Sequence, residues 1–310
     1  MNHEIFERTL TEELSGANVP EGLIESTADF LHLSTLGLTS PRPPLVSLLA
    51  GPTGCGKTHF AYSLAKAIHG PEGKLLRIDC GEFQMPHEIA RLIGAPPGYL
   101  GHKETAPVLS QVALTRLTSD KSAYSVLLFD EIEKAAPQLF DLLLGVLDSG
   151  SLRMGDGTTV SFDRTLILFT SNIGYTKSVQ PGFTGKPPEI EEKINAAVRR
   201  TFRTEFVNRL DNIVAYPQIT RDGAKVVLVK FHTEAQQKCA TQGIYLPDMD
   251  EKTLDNVLEE GYSMEYGTRE LKRAHRTLVL APFVRGLAKG GVVGGATRTR
   301  KTRISAGRGY

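Results

Sequence analysis

Apolar positions recur at helical spacing in some stretches of the chain and gather into short unbroken runs in others. Ile5, Phe6, Leu10 and Leu14 share one helical face, and Leu23, Ile24, Phe30 and Leu31 repeat the pattern before the prolines at 41, 43 and 44. Leu45 to Ala50, Lys74 to Asp79, Tyr124 to Phe129, Thr165 to Thr170 and Asn212 to Tyr216 have the length and character of buried strands. Between them, Phe60, Ala61, Leu64, Ala65 and Ile68 fall on one helical face, as do Leu139, Leu142, Leu143, Val146 and Leu147, and a helix is predicted near Ile190 to Phe206. Strands alternating with helices predict an α/β fold with a parallel sheet and its ligand at the strands' carboxyl ends. Gly94 to Gly101 reads as a loop carrying an exposed aromatic, and Gly174 to Glu189 as a mobile loop. After Pro217 the pattern becomes helical, at Gly223 to Gln242, Asp250 to Glu260 and Thr268 to Leu287. The expected division is 1–217 for an α/β domain and 218–310 for a smaller, mainly α-helical one.

The first strand runs into Gly51-Pro52-Thr53-Gly54-Cys55-Gly56-Lys57-Thr58, which fits the phosphate-loop pattern at every required position. Strand, glycine turn and helix N-terminus follow in the order that phosphate binding needs. The glycines let backbone N–H groups turn onto phosphates, Lys57 is placed to reach the β- and γ-phosphates, and the Thr58 hydroxyl to ligate Mg²⁺. The strand VLLFDE presents Asp130 and Glu131 at the sheet edge: Asp130 for the Mg²⁺ water shell, Glu131 to orient and deprotonate an attacking water. Asn172, at the end of another strand, is a candidate for the γ-phosphate or that water. In isolation, an acidic pair or an Asn at a strand end is a common turn feature, so these assignments depend on one another.

Composition narrows the class without naming the chemistry. Hydrophobic content of 40% and charged content of 23% are those of a globular protein. The N-terminus has no signal pattern and no apolar run is long enough to span a bilayer, so a cytoplasmic protein with no membrane partner is expected. Cys55, Cys80 and Cys239 form neither a disulfide framework nor a zinc pattern. Cys55 reads as a small residue that fits the loop, although its oxidation would crowd the phosphates. From Leu271 to Tyr310 there is no acidic residue. That basic end suits an acidic partner, but Phe283 is the one Phe, Tyr or Trp that interleaves it before Tyr310, which argues against nucleic acid.

GPTGCGKT, RLIGAPPGYLG, LLFDEIEKA, FTSNIG, EFVNRLDNIV and GTRELKRA, in that order, resemble the second ATPase module of the Clp-type AAA+ unfoldases, closest to the ClpB group. The resemblance runs from about Gly37 to Lys289. It implies a P-loop AAA+ three-layer sandwich followed by a small lid domain, ATP and Mg²⁺ as cofactors, and a polypeptide substrate. It also implies a homo-oligomeric, hexameric ring. Position by position it makes Asn172 the first sensor, Arg209 an arginine finger reaching a neighbour's nucleotide, Arg269 the second sensor and Tyr99 a substrate-gripping aromatic of the pore loop. The plainer alternatives are surface ion pairs, Arg209 with Asp211 or Glu205 and Arg269 with Glu270 or Glu265, and for Tyr99 a ring folded onto its own domain.

The chain departs from the family pattern in several places. Val19-Pro20 replaces the Gly-Gln dipeptide near the adenine, which puts adenine selectivity in question. HKETAP replaces the acidic, glycine-rich continuation of the pore loop. The resemblance reaches only one module, so a standalone single-module form is expected, with an adaptor protein a candidate partner in place of the missing substrate domain. Pro181-Gly182-Phe183 stands where protease-partnered relatives carry an aliphatic-Gly-aromatic tripeptide, and the proline argues against peptidase docking. The leading expectation is an ATP-hydrolysing motor that remodels, unfolds or threads polypeptides. The second is an ATP-controlled assembly switch that binds a partner or nucleic acid through its basic tail, without translocation.

Overall fold

A computed structural model describes residues 3–38, 43, 45–94, 107–174, 187–263 and 266–288, with the side chains of 187–189 and 288 excepted. Tyr99, the Pro181-Gly182-Phe183 turn, most of the loop expected from Gly174 to Glu189 and the basic tail beyond residue 288 lie outside the described residues. The chain divides into two compact units, residues 1–218 and 219–310.

The first unit is built on a five-stranded sheet in which every pairing is parallel. Its strands are β1 (Leu45–Ala50), β2 (Leu76–Asp79), β3 (Ser125–Asp130), β6 (Thr165–Ser171) and β7 (Asn212–Ala215), in the order β2-β3-β6-β1-β7. A separate antiparallel hairpin pairs β4 (Ser151–Arg153) with β5 (Thr159–Ser161). Period-two alternation sends side chains to two cores. Val46, Leu48, Leu127, Phe129, Ile167 and Phe169 face one side. There they meet α6 (Pro137–Ser149), α7 (Pro187–Thr201) and α8 (Thr204–Val207). Leu45, Leu49, Val126, Leu128, Leu166 and Leu168 face the other. That side is covered by α1 (His3–Glu13), α2 (Leu23–Thr35) and α3 (Lys57–His69). The result is the three-layer α/β sandwich expected. Two short helices, α4 (Ala90–Ile93) and α5 (Gln111–Thr115), pack on the first side through Leu92 and Leu114.

Several boundaries differ from the sequence pattern. The strand expected from Lys74 starts at Leu76, and the one expected to end at Tyr216 ends at Ala215. The helix expected from Ile190 to Phe206 is two helices, because Arg203 leaves the helical region at φ −61°, ψ 143° and lets Phe206 turn into the core. Phe206 then meets the ring of Phe169 edge-on at 5.1 Å. No described helix is long and apolar enough to cross a membrane.

The second unit is helical: α9 (Arg221–Thr241), α10 (Glu251–Gly261), α11 (Leu271–His275) and α12 (Ala281–Ala288). Its core joins Ala224 and Leu228 to Val257, Leu258, Leu271 and Ala274. Thr220 and Asp250 cap α9 and α10 by accepting from the N–H groups of Gly223 and Thr253. The helix expected from Thr268 starts at Leu271 and passes through a π-turn at Arg276–Leu280 before α12. Close packing sets this geometry, since a Cβ on Gly261 would stand 2.7 Å from the Leu271 Cα.

Beneath α9 and α11 two buried histidines meet, His232 Nδ1 lying 3.1 Å from His275 Nε2. His232 Nε2 lies 2.9 Å from the Pro247 carbonyl oxygen and must donate to it, so Nδ1 accepts and His275 Nε2 donates. Burial, with His232 beside it, pulls the His275 pKa down to about 4. A histidine with a depressed folded pKa contributes full stability above its unfolded value of 6.5 and loses it as pH falls towards 4. We expect acidification across that window to cost the second unit roughly 3 kcal/mol. Hydrogen exchange of α9 and α11 amides, corrected for intrinsic rates, should show progressively lower protection from pH 7 to pH 4.5. Unchanged protection would contradict the assignment.

Candidate functional site

The parallel sheet brings three polar strand ends together. Leaving β1, the chain enters the glycine loop and turns into α3, whose first residue is Lys57. Gly51 is required by close approach: a Cβ there would stand 2.6 Å from the Tyr216 carbonyl oxygen. Gly56, at φ 112°, turns the chain into α3 in a conformation that other residues avoid.

Lys57 is 93% buried, being 7% exposed. Its Nζ donates to the carbonyls of Gly51 and Pro52, both at 2.7 Å, and to Asn172 Oδ1 at 3.1 Å. Burial pulls its pKa below the ordinary lysine value, while Cys55, Glu133 and Asp130 oppose that shift. The Cys55 thiol lies 3.8 Å from Nζ, and its own burial pushes its pKa up despite the neighbouring ammonium. A buried thiol held in the protonated form is a poor nucleophile.

Asn172 connects the phosphate-loop lysine to the acidic strand end. Its Oδ1 accepts from Lys57, and its Nδ2 donates to Glu131 Oε1 at 3.2 Å. Its backbone N–H donates to Glu133 Oε1 at 2.9 Å. Glu131 also takes an ion pair from Lys134, one turn on. Among the described residues, Glu131 is the one non-glycine with positive φ, at 57°. Left-handed backbone costs an ordinary residue about 1–2 kcal/mol. Here Thr170 Oγ1 helps hold it by accepting the Glu131 N–H at 3.0 Å. The same hydroxyl donates to Asp130 Oδ1. Thr58 Oγ1 lies 3.4 Å from that oxygen, and Arg77 of β2 donates to Oδ2 through Nε at 2.9 Å.

The described residues of the phosphate loop, with Asp130, Glu131 and Asn172, therefore converge. Arg209 does not join them: half-exposed, it pairs with Asp148 of α6 rather than with Asp211 or Glu205. Asp211 is engaged elsewhere, accepting the Val46 N–H at 2.8 Å. Arg269 belongs to the second unit, where it is exposed just before α11 and where Glu270 pairs with Arg273 instead. Near the aligned adenine positions, Asn18 donates to the Pro217 carbonyl at 2.9 Å and Val19 packs against the core under α3. Arg77, Thr170, Glu133 and Lys134 were not singled out by the sequence pattern. The spacing of Glu133 and Lys134, within one turn of Glu131, is the one signal that pointed to any of them.

A buried lysine at a glycine-loop helix N-terminus, joined through an asparagine to a paired acidic strand end on a parallel sheet, defines a P-loop ATPase-type module with a helical unit after it. Residues 42–213 match the family model of the AAA domain (Cdc48 subfamily), and residues 219–299 match the C-terminal, D2-small domain, of ClpB protein. The chain belongs to this AAA family. It is 38% identical over 275 residues to the chaperone protein ClpB of Meiothermus ruber, covering 88% of this chain and 31% of that protein. It is 36% identical over 278 residues to the ATP-dependent Clp protease ATP-binding subunit ClpC of Staphylococcus epidermidis, covering 87% and 33%. The S. cerevisiae Hsp104:casein complex in its extended conformation matches with a TM-score of 0.79 at 27% identity, over 94% of this chain and 49% of that one. Hsp104 with ATPγS and FITC casein, in a closed state, matches with a TM-score of 0.77 at the same 27% identity, over 94% and 48%. The chain thus spans about a third of the length of these curated relatives.

Thr170→Val keeps the shape of this 1% exposed side chain but removes the donor to Asp130 and the acceptor for the Glu131 N–H. We expect a loss of about 1–3 kcal/mol in urea unfolding. A change below about 0.5 kcal/mol would show that the hydroxyl does not hold the acidic strand end.

Proposed function

We propose that the chain is an ATP-hydrolysing motor module that assembles into a ring, hexameric as in the Clp-type arrangement, and draws polypeptide through a central pore in the cytoplasm. The observation that carries the proposal is the side chain of Asn172, which touches Lys57 with one end and Glu131 with the other. Nucleotide contact and the proposed water-activating carboxylate are thereby tied to one strand end.

Lys57 and the loop N–H groups would hold the phosphates, which suits a helix N-terminus carrying partial positive charge. The oxygens of Thr58 and Asp130 are hard donors already adjacent to one another, and they fit Mg²⁺ bound with the nucleotide. Mg²⁺ so bound supplies charge neutralisation on the phosphate oxygens. Glu131 would take the proton from the water whose oxygen attacks the γ-phosphorus, with ADP leaving. Asn172 would orient that water. Arg209, exposed near the end of α8, would act on a neighbour's nucleotide after giving up Asp148, and an arginine supplied in trans can contribute about 10³ to 10⁵ in rate. Arg269 would report the nucleotide to the small domain. Tyr99, which stands between Gly98 and Gly101 in the sequence, would grip the substrate. The polypeptide assignment draws support from Hsp104, whose similar structures contain casein.

Glu131→Gln should lower phosphate release by about 10² to 10⁴ while a fluorescent ATP analogue still binds. Hydrolysis at the wild-type rate would remove Glu131 from the mechanism. Tyr99→Ala should retain ATP hydrolysis and lose unfolding of a tagged substrate, and full unfolding by this variant would rule out the pore role.

A further inference from the structure

Asp130 has donors on both carboxylate oxygens, and they come from different elements. Oδ1 receives Thr170 and has Thr58 at 3.4 Å. Oδ2 receives both Nε of Arg77, at 2.9 Å, and Nη2, at 2.7 Å. The Arg77 side chain is 47% exposed and that of Asp130 is 9% exposed, so the cation reaches in from solvent to a buried anion. It does so from edge strand β2, whose register sets Asp79, not Arg77, beside Asp130. The exposed face of Arg77 lines a cleft of about 270 Å³ with Asp79, Glu82, Phe83 and Arg91.

A half-exposed ion pair contributes little to stability. What this one adds is orientation, because both N–H groups of one planar fork converge on one carboxylate oxygen and restrict its rotation. We propose that Arg77 is a positioning residue for the Mg²⁺-nucleotide: by holding Oδ2, it turns Oδ1 towards Thr58 and keeps that oxygen available to the metal's water shell. The role rests on the nucleotide-site reading above. Residues that orient a metal's ligands in this way typically govern metal affinity by about 10- to 100-fold.

Charge alone predicts the opposite sign. Removing a cation beside Asp130 would strengthen the attraction for Mg²⁺. Orientation and charge are therefore separable by the direction of the effect.

The test uses the full chain as wild type, Arg77→Gln and Arg77→Lys. A fluorescent ATP analogue is titrated in EDTA and then at graded Mg²⁺, with thermal unfolding confirming that each variant is folded. In Arg77→Gln, affinity in EDTA should be unchanged and the Mg²⁺ concentration giving half-maximal enhancement should rise about tenfold. Arg77→Lys, which keeps the charge but lacks the fork, should raise the Mg²⁺ midpoint at least as far as Arg77→Gln. An unchanged or lower Mg²⁺ midpoint in Arg77→Gln overturns the proposal, as does an equal loss of affinity with and without Mg²⁺, the mark of a purely structural role. A wild type that binds the analogue with no response to Mg²⁺ overturns the nucleotide-site reading itself, and the role of Arg77 with it.

Discussion

A buried ammonium has to be surrounded by acceptors, and the site is arranged around that requirement. Lys57 stands at the start of α3 with its charge taken out of water, a placement that costs several kcal/mol unless it is answered locally. The carbonyls of Gly51 and Pro52 and the amide oxygen of Asn172 answer it. Each acceptor comes at the carboxyl end of a parallel strand, so the lysine is possible only where β1 and β6 finish side by side. The same adjacency lets Asn172 spend its remaining N–H on Glu131.

The acidic side of the site is held by neighbours rather than by its own strand. Asp130 and Glu131 end β3, yet the groups that orient them come from β6 through Thr170 and Asn172 and from β2 through Arg77. Glu131 sits in left-handed backbone, a strained setting that persists because Thr170 accepts its N–H and Lys134 and Asn172 engage its carboxylate. A change at any of these positions is therefore felt at the paired carboxylates, although none belongs to the phosphate loop.

The parts of this arrangement that were legible in the sequence are those carried by short, contiguous patterns. The strand, glycine loop and helix from Leu45 to Ile68, the apolar run ending in Asp130-Glu131 and the run ending at Asn172 each announce themselves within a few residues. Arg77 and Thr170 were not legible, because their roles depend on which strands lie side by side, and an arginine or threonine in a short strand has no spacing that reveals a cross-strand partner. The ion-pair partner of Arg209 is not legible for the same reason: Asp148 is far away in sequence and meets it only because α6 and α8 share one face of the sheet. The hairpin of β4 and β5 leaves no pattern in the sequence, because its strands are three residues each, too short for alternation to register. The break at Arg203 and the π-turn at Arg276–Leu280 are set by packing and do not interrupt the helical spacing of apolar residues.

On the proposed function, the buried Lys57 ammonium is kept for a triphosphate rather than for the fold. Isothermal titration of Lys57→Met with ATP and Mg²⁺, alongside a thermal melt, tests it most directly. The expected result is a melt close to wild type and ATP binding weaker by about 100-fold or more, because a charged hydrogen-bonding partner of the phosphates is removed. ATP binding at wild-type affinity in a folded Lys57→Met protein would contradict it.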